Sequence, residues 1–298
     1  MTFTTNLNKI TAAYVTQFSD TFEILCQQRE SRLLKTVVNE GKITGNTFTI
    51  NDLGILEMKD RKRFGDTEWD LPEAGVRKVF LKDKSLTVPI DKMDLPKLLA
   101  NVQSAYMQLC VAAYQRKVDE TIYNALIGGI ERIEKYNGDS TVVKLPNTQI
   151  ITSSGNGSIK DKILAAKSIF RSNECDEQNG EQLYILYDAA MMVDILSDTT
   201  LTSGDFMSVK MLQEGNVDTK WCGVSWIPYE KLARNDANTF RSSVMYSGTA
   251  VHFGHGSAFE VDIGKRRDKN NTIQIHTDAS MGAGRANEQK VVEIQLSC

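Results

Sequence analysis

The sequence predicts an α+β fold, and three observations carry the prediction. Residues 94–127 read as one long helix in which Leu95 to Val118 keep the helical period, several later runs read as β-strands, and two earlier strand-like runs are separated by a segment too charged to form its own core. The architecture expected is an N-terminal arm, an extended hairpin, one beam-like helix, and mixed α/β structure that ends in strands.

Each element follows from its residues. Residues 8–38 place Ile10, Ala13, Tyr14, Phe18, Phe22 and Leu25 at helical spacing, which predicts amphipathic pieces that need a partner surface. "TFTI" (47–50) and "LTVPI" (86–90) alternate apolar and polar residues, as half-buried strands do, and are expected to form the base of a hairpin. Between 57 and 84 lie eight positive and seven negative residues, with Gly65, Pro72 and Gly75 as turn formers. A segment so charged lies either in water or on another surface. Its centre, "KDRKRFGDTEWD", runs from the cations Lys59, Arg61, Lys62 and Arg63 to the anions Asp66, Glu68 and Asp70.

The long helix has Asp94 to cap it, Pro96 in its first turn, and Gly128-Gly129 to close it. At 1.5 Å per residue it would reach about 50 Å, well beyond an average globular helix. Ser158 then caps a helix that carries Ile159, Ile163, Leu164, Ile169 and Phe170. "QLYILY" reads as a buried strand running into the helix "DAAMMVDILSD", and "GVSWIPY" as another strand. "SSVMYS", "TAVHFG", "AFEVDIG", "TIQIHTD" and "VVEIQL" favour strands through their β-branched and aromatic residues.

Bulk properties narrow the function classes. The 298 residues are enough for a large core, and 35 basic against 38 acidic residues give a net charge of −3, unlike a dedicated nucleic-acid binder. Five scattered cysteines with no CxxC pair read as reduced thiols. "MTFTTNLNKI" has no apolar stretch behind a basic start, and no run approaches the roughly 18 apolar residues of a membrane helix, so neither export by a standard signal nor membrane contact is expected.

Candidate chemistry is sparse. His252 and His255 in "HFGHG" would point to opposite faces of a strand, and no acidic or cysteine ligand stands at metal spacing, so no metal is expected. "SSGNGSIKDK" precedes a helix but lacks the spacing of a phosphate-binding loop, so no cofactor is expected. There is no nucleophile motif. The cations of 59–63 with Phe64 could meet nucleic acid, but the anions that follow would repel the same phosphates. A solvated loop and a protein contact both fit better.

The order of these parts resembles the major capsid proteins of tailed bacteriophages, whose fold herpesviruses share. "DLGILEMKDRKRFGDTEWDLPEAG" is similar to the loop that such proteins lay over a neighbouring subunit. "LYILYDAAMMVDILSDTTLTSGDF" and "GNVDTKWCGVSWIPYEKL" resemble their axial domain, and "SAFEVDIGKRRDKNNTIQIHTDASMGAGRANEQKVVEI", with Gly284-Arg285 ahead of the final strand, resembles their closing segment. The resemblance implies an N-terminal arm over 1–44 and an extended loop over 45–90. It further implies a peripheral domain over 91–136 and 251–290 with its spine helix at 94–127, and an axial domain over 137–250 and 291–298. It also implies a structural protein, not an enzyme, that assembles into an icosahedral shell around double-stranded DNA. Copies of itself in hexamers and pentamers would be its main partners, in a virion built in the host bacterial cytoplasm. A portal and non-specific contact with packaged DNA would complete the set, and the lack of a large segment before the arm implies a separate scaffolding protein. A tail-tube protein, or a soluble enzyme using His252, His255 or Asp188, are the alternatives. Within the capsid reading, Lys59, Arg61, Lys62, Arg63, Asp66, Glu68 and Asp70 form the inter-subunit contact, because opposite charges fix register more than they add affinity. Changing Arg61, Lys62 and Arg63 together to Glu is expected to abolish assembly or make it strongly salt-dependent, measured by sedimentation, while the free subunit unfolds as before.

Overall fold

A computed structural model describes residues 27–60, 63, 65–66, 69–90, 102–134, 139–153, 158–197, 220, 223–257 and 259–297. The N-terminal apolar stripe up to residue 25, the start of the long helix at 94–101, and three of the five cysteines lie outside them. In chain order the elements are β1 (Val38–Lys42), β2 (Thr47–Leu53), β3 (Ala74–Phe80), β4 (Lys82–Ile90), α1 (Val102–Ile127), β5 (Ile130–Glu134), β6 (Ser140–Val143) and β7 (Ile150–Ile151). There follow α2 (Ile159–Ser172), β8 (Leu183–Tyr187), α3 (Ala189–Ser197), β9 (Val224–Pro228), β10 (Ala233–Arg234), β11 (Phe240–Ser247), β12 (Val251–His255), β13 (Glu260–Arg266), β14 (Thr272–Arg285) and β15 (Val291–Ser297). The predicted α+β class holds, and the described part of the long helix alone spans 26 residues, about 39 Å.

The chain divides into two compact units, the larger made of Arg32–Lys82, Val118–Gly256 and Met281–Cys298. Within it a sheet of order β7-β15-β11-β8-β9 carries the main core. β11 lies antiparallel to β15, with Tyr246 opposite Val291, and β8 runs parallel to β9, with Ile185 opposite Trp226. Phe170 and Ile163 from α2 and Met191 and Ile195 from α3 pack with Leu183, Ile185, Trp226, Met245, Val292 and Ile294 of this sheet. Each such side chain contributes roughly 1.5–3 kcal/mol by leaving water. The predicted Ser158 cap is present: its backbone N–H donates to the Asp161 carboxylate at 3.2 Å, and the helix begins at the next residue.

A second sheet, β2-β3-β5-β6, is antiparallel throughout and corrects one expectation. The strand that pairs with 47–50 is not "LTVPI" at 86–90 but "AGVRKVF", with Thr47 opposite Phe80 and Leu53 opposite Ala74. β4, which contains "LTVPI", pairs with β14 instead. β3 presents Gly75, Arg77 and Val79 to the interior, so its buried face carries a cation and no apolar alternation is visible. Phe48, Ile50, Val79 and Ile130 form the apolar cluster of this sheet. Also in the larger unit, β1 runs parallel to β12, and β12 pairs antiparallel with the end of β14, Val251 opposite Arg285.

Polar anchors tie the C-terminal part of α1 into the same unit. Asp119, fully buried, accepts hydrogen bonds from the backbone N–H groups of Arg32 and Leu33, both at 3.1 Å. Tyr123 donates to the Ser242 carbonyl and accepts from the Ala233 N–H, each at 2.7 Å. In the smaller unit β13 and β14 form a hairpin, with Ile263 opposite Ile275. Ile90, Cys110 and Ile275 make its core, with Tyr106, Met107, Phe259 and Val261 against them.

One ion pair of the larger unit gives it a pH dependence. Glu181 accepts from the Lys290 ammonium at 2.6 Å, from the Thr249 hydroxyl and from the Ser247 hydroxyl. Burial alone would raise its carboxyl pKa, but these donors outweigh burial and hold it below the usual glutamate value. A carboxyl depressed in the folded state stabilises above the ordinary value and loses that stabilisation as pH falls through the folded one. Denaturant unfolding measured below pH 4.5 should therefore show stability falling with pH, and Glu181→Gln should make that fall shallower.

Candidate functional site

Beyond the last paired residues of β2 and β3, the Gly54 N–H donates to the Glu73 carbonyl at 2.7 Å, and the described residues among 55–72 form an arm without helix or strand. The predicted contact residues lie on this arm. Lys59 and Asp70 come together in a 2.8 Å ion pair between its two limbs, both side chains largely exposed. Arg63 and Asp66 are exposed as well, and Arg61, Lys62 and Glu68 lie outside the described residues. In water the Lys59–Asp70 pair is worth at most about 1 kcal/mol, enough to bias the limbs but not to hold them.

The arm also presents apolar residues that the sequence reading did not single out. Met58 is fully exposed and Trp69 and Ile55 are each 87% exposed, with Leu53, Leu56 and Leu71 exposed beside them in sequence. Monomeric proteins rarely leave so many large apolar side chains in water on one segment unless another surface covers them. A signal was present in "LGILEM" and "WDL", hidden by the density of charge around it.

A buried ionic network fixes the base of the arm. Arg285 of β14 is completely buried and donates to the Leu126 and Gly128 carbonyls at 2.8 and 2.9 Å, and to the Val143 carbonyl at 3.3 Å. The last carbonyls of a helix have no partner within it, and the helix dipole favours a cation there, so Arg285 caps α1. Its Nε lies 3.4 Å from Glu288, which also receives a two-pronged contact from Arg77 of β3 at 2.5 and 2.7 Å. Asp52 of β2 accepts from Arg77 at 3.2 Å and from Arg132 of β5 at 3.0 Å. Burial opposes ionisation of Glu288, yet the Arg77 guanidinium outweighs it and holds the carboxyl below its usual range. Gly284 makes the approach possible, since a Cβ there would collide with Val79 and press on Ile130.

Of the residues an enzyme reading would use, Asp188 and His252 have structural partners, and His255 lies on β12 opposite Met281. Asp188 caps α3, accepting from the Met191 N–H at 2.9 Å, and lies 3.3 Å from Arg241. His252 bonds to Glu40 at 2.5 Å, and His276 to Thr87 and Asp278 at 2.7 and 2.9 Å. Among the described residues no group of three or more potential ligands could hold a metal ion, and no helix is long and apolar enough to cross a membrane.

A long helix, an arm with exposed apolar side chains, and an ionic cluster at its base are the features that any reading of the chain must account for. The chain belongs to the phage capsid protein family, which it matches over residues 10–297. Its structure is similar to a chain of Mycobacterium phage Che8 at a TM-score of 0.69 and 17% identity, covering 94% of this chain and 96% of that one. It is similar to the cyanophage Pam1 capsid at 0.68 and 14%, covering 100% and 98%, and to the capsid of cyanophage P-SCSP1u at 0.66 and 14%, covering 94% and 93%. No curated protein matches the sequence. The fold is that of tailed-phage capsid proteins, and the protein is a major capsid protein of the virion shell, structural and not enzymatic. The tail-tube and enzyme alternatives are not favoured.

Replacing Arg285 by Met would strand two helix-end carbonyls and leave Arg77 alone with Glu288. It should lower the unfolding free energy by about 3–5 kcal/mol, read from a urea titration with unchanged slope. A loss under about 1 kcal/mol would mean that the network does not hold this unit together.

Proposed function

We propose that copies of this chain join as hexamers and pentamers that close into the icosahedral shell, with the 54–73 arm of each lying on a neighbour. The observation that carries this reading is the exposure of Ile55, Met58 and Trp69 on a segment whose base is fixed by buried ion pairs. Apolar contact supplies affinity, and Lys59, Arg61, Lys62, Arg63, Asp66, Glu68 and Asp70 supply register. Each contact is modest, so a misplaced copy can leave, while the number of contacts makes the closed shell stable.

In this reading residues 1–44 act as an N-terminal arm and 45–90 as the extended loop. The peripheral domain is 91–136 with 251–290, and the axial domain is 137–250 with 291–298. A separate scaffolding protein and a portal take part in assembly, which proceeds in the cytoplasm of the host bacterium. The packaged double-stranded DNA meets the inner wall without sequence preference. A chain of net charge −3 suits that role, because a strongly basic wall would bind DNA too tightly for it to move during packaging.

The arm is tested by the triple variant Ile55→Ser, Met58→Ser, Trp69→Ser. Because these side chains are exposed in the free subunit, unfolding should change by no more than about 0.5 kcal/mol. Shell yield, measured by sedimentation and negative-stain imaging, should fall about tenfold or more. Normal shells from this variant would remove the arm from the assembly contact.

A further inference from the structure

The hairpin that joins β13 to β14 ends in "GKRRDKNN" (264–271), and every residue from Lys265 to Asn271 is exposed. Asn270 and Asn271 both adopt left-handed backbone, at φ of 50° and 56°, which makes the turn tight. Arg266 gives both prongs of its guanidinium to Asp268, at 2.8 and 2.7 Å. These hydrogen bonds hold the Asp268 carboxyl down to about 2. The tip's one carboxylate is thus engaged within the tip. Among the described residues Lys265, Arg267 and Lys269 have no ion-pair partner, which leaves three cations within five residues at the end of a stiff hairpin.

Such a tip suits an anionic surface, and the chain itself carries one. The arm over 54–73 has six acidic against four basic residues. Asp66 and Glu73 on its second limb are exposed and, among the described residues, have no ion-pair partner. Duplex DNA is the other polyanion at hand, but a binder that tracks phosphates uses many cations over a continuous surface, and here three sit on one turn.

We propose that the β13–β14 tip of one copy docks on the acidic limb of the arm of a second copy, through Lys265, Arg267 and Lys269 on one side and Asp66 and Glu73 on the other. This contact rests on the assembly reading and adds to it an acceptor for the arm's charges. Opposite charges at this position would reject misaligned neighbours, since like charges brought together repel.

Charge reversal and its compensation test the proposal. The variants K265E/R267E/K269E and D66K/E73K, and the protein carrying all five changes, would be followed by light scattering during assembly and imaged for shells. Melting of each free subunit keeps a folding defect separate, and the milder K265Q/R267Q/K269Q should give an intermediate effect. Each reversal alone should raise the protein concentration at which shells form by about tenfold, less so at high salt. The five-fold variant should return to within about threefold of the original protein. Three results would overturn the contact: a tip reversal that assembles normally, a combined variant no better than either reversal, or normal shells that lose only their DNA. If the unaltered protein forms no shells even with its scaffolding protein co-expressed, the assembly reading itself fails, which is a different result from any of these.

Discussion

The larger unit depends on the complete burial of the Arg285 guanidinium. Removing such a cation from water costs several kcal/mol, and the cost is recovered only where its N–H groups find partners with good geometry. Here they do: two carbonyls at the end of α1, one on β6, and the Glu288 carboxylate. Glu288 also serves Arg77, and Arg77 shares Asp52 with Arg132, so a helix end and strands from two sheets meet in one polar cluster. Taking out Glu288 leaves Arg285 without a carboxylate, and taking out Arg285 leaves its carbonyl partners without that donor, so the members are coupled.

In the proposed assembly the cluster matters because it holds the root of the arm. β2 and β3 are pinned by Asp52 and Arg77 at the level where the arm leaves the sheet, while Ile55, Met58, Trp69 and Leu71 beyond it are exposed. Entropy that the root would otherwise lose on docking is already spent in folding. In the proposed contact the arm would bring to a neighbour a set of apolar side chains framed by charges of both signs, a composition that gives affinity in the middle and discrimination at the rim.

Much of this was legible in the sequence wherever one period dominated. α1 declares itself through Gly128-Gly129 at its end and a long run before them with no glycine or proline, β8 and β15 through runs of large apolar residues, and α2 through Ser158. The second strand of the hairpin was misread because its inward face is Gly75, Arg77 and Val79, and the partners that make Arg77 acceptable come from residues 25 and 211 positions away. No local rule anticipates a buried arginine. For the same reason Gly284-Arg285 could be noticed as a dipeptide but not understood, since its helix-capping role needs Leu126 and Gly128 in view. At the candidate site the charges drew attention and the apolar residues among them did not, although exposure reverses their weights.

The central claim is that the arm's partners belong to another copy of the chain. Hydrogen exchange across 54–73, compared between free subunits and assembled shells, tests it most directly. The account predicts fast exchange in the free subunit and at least about tenfold slowing in the shell, with β11 and β15 equally protected in both. Equal exchange of the arm in the two states would contradict it.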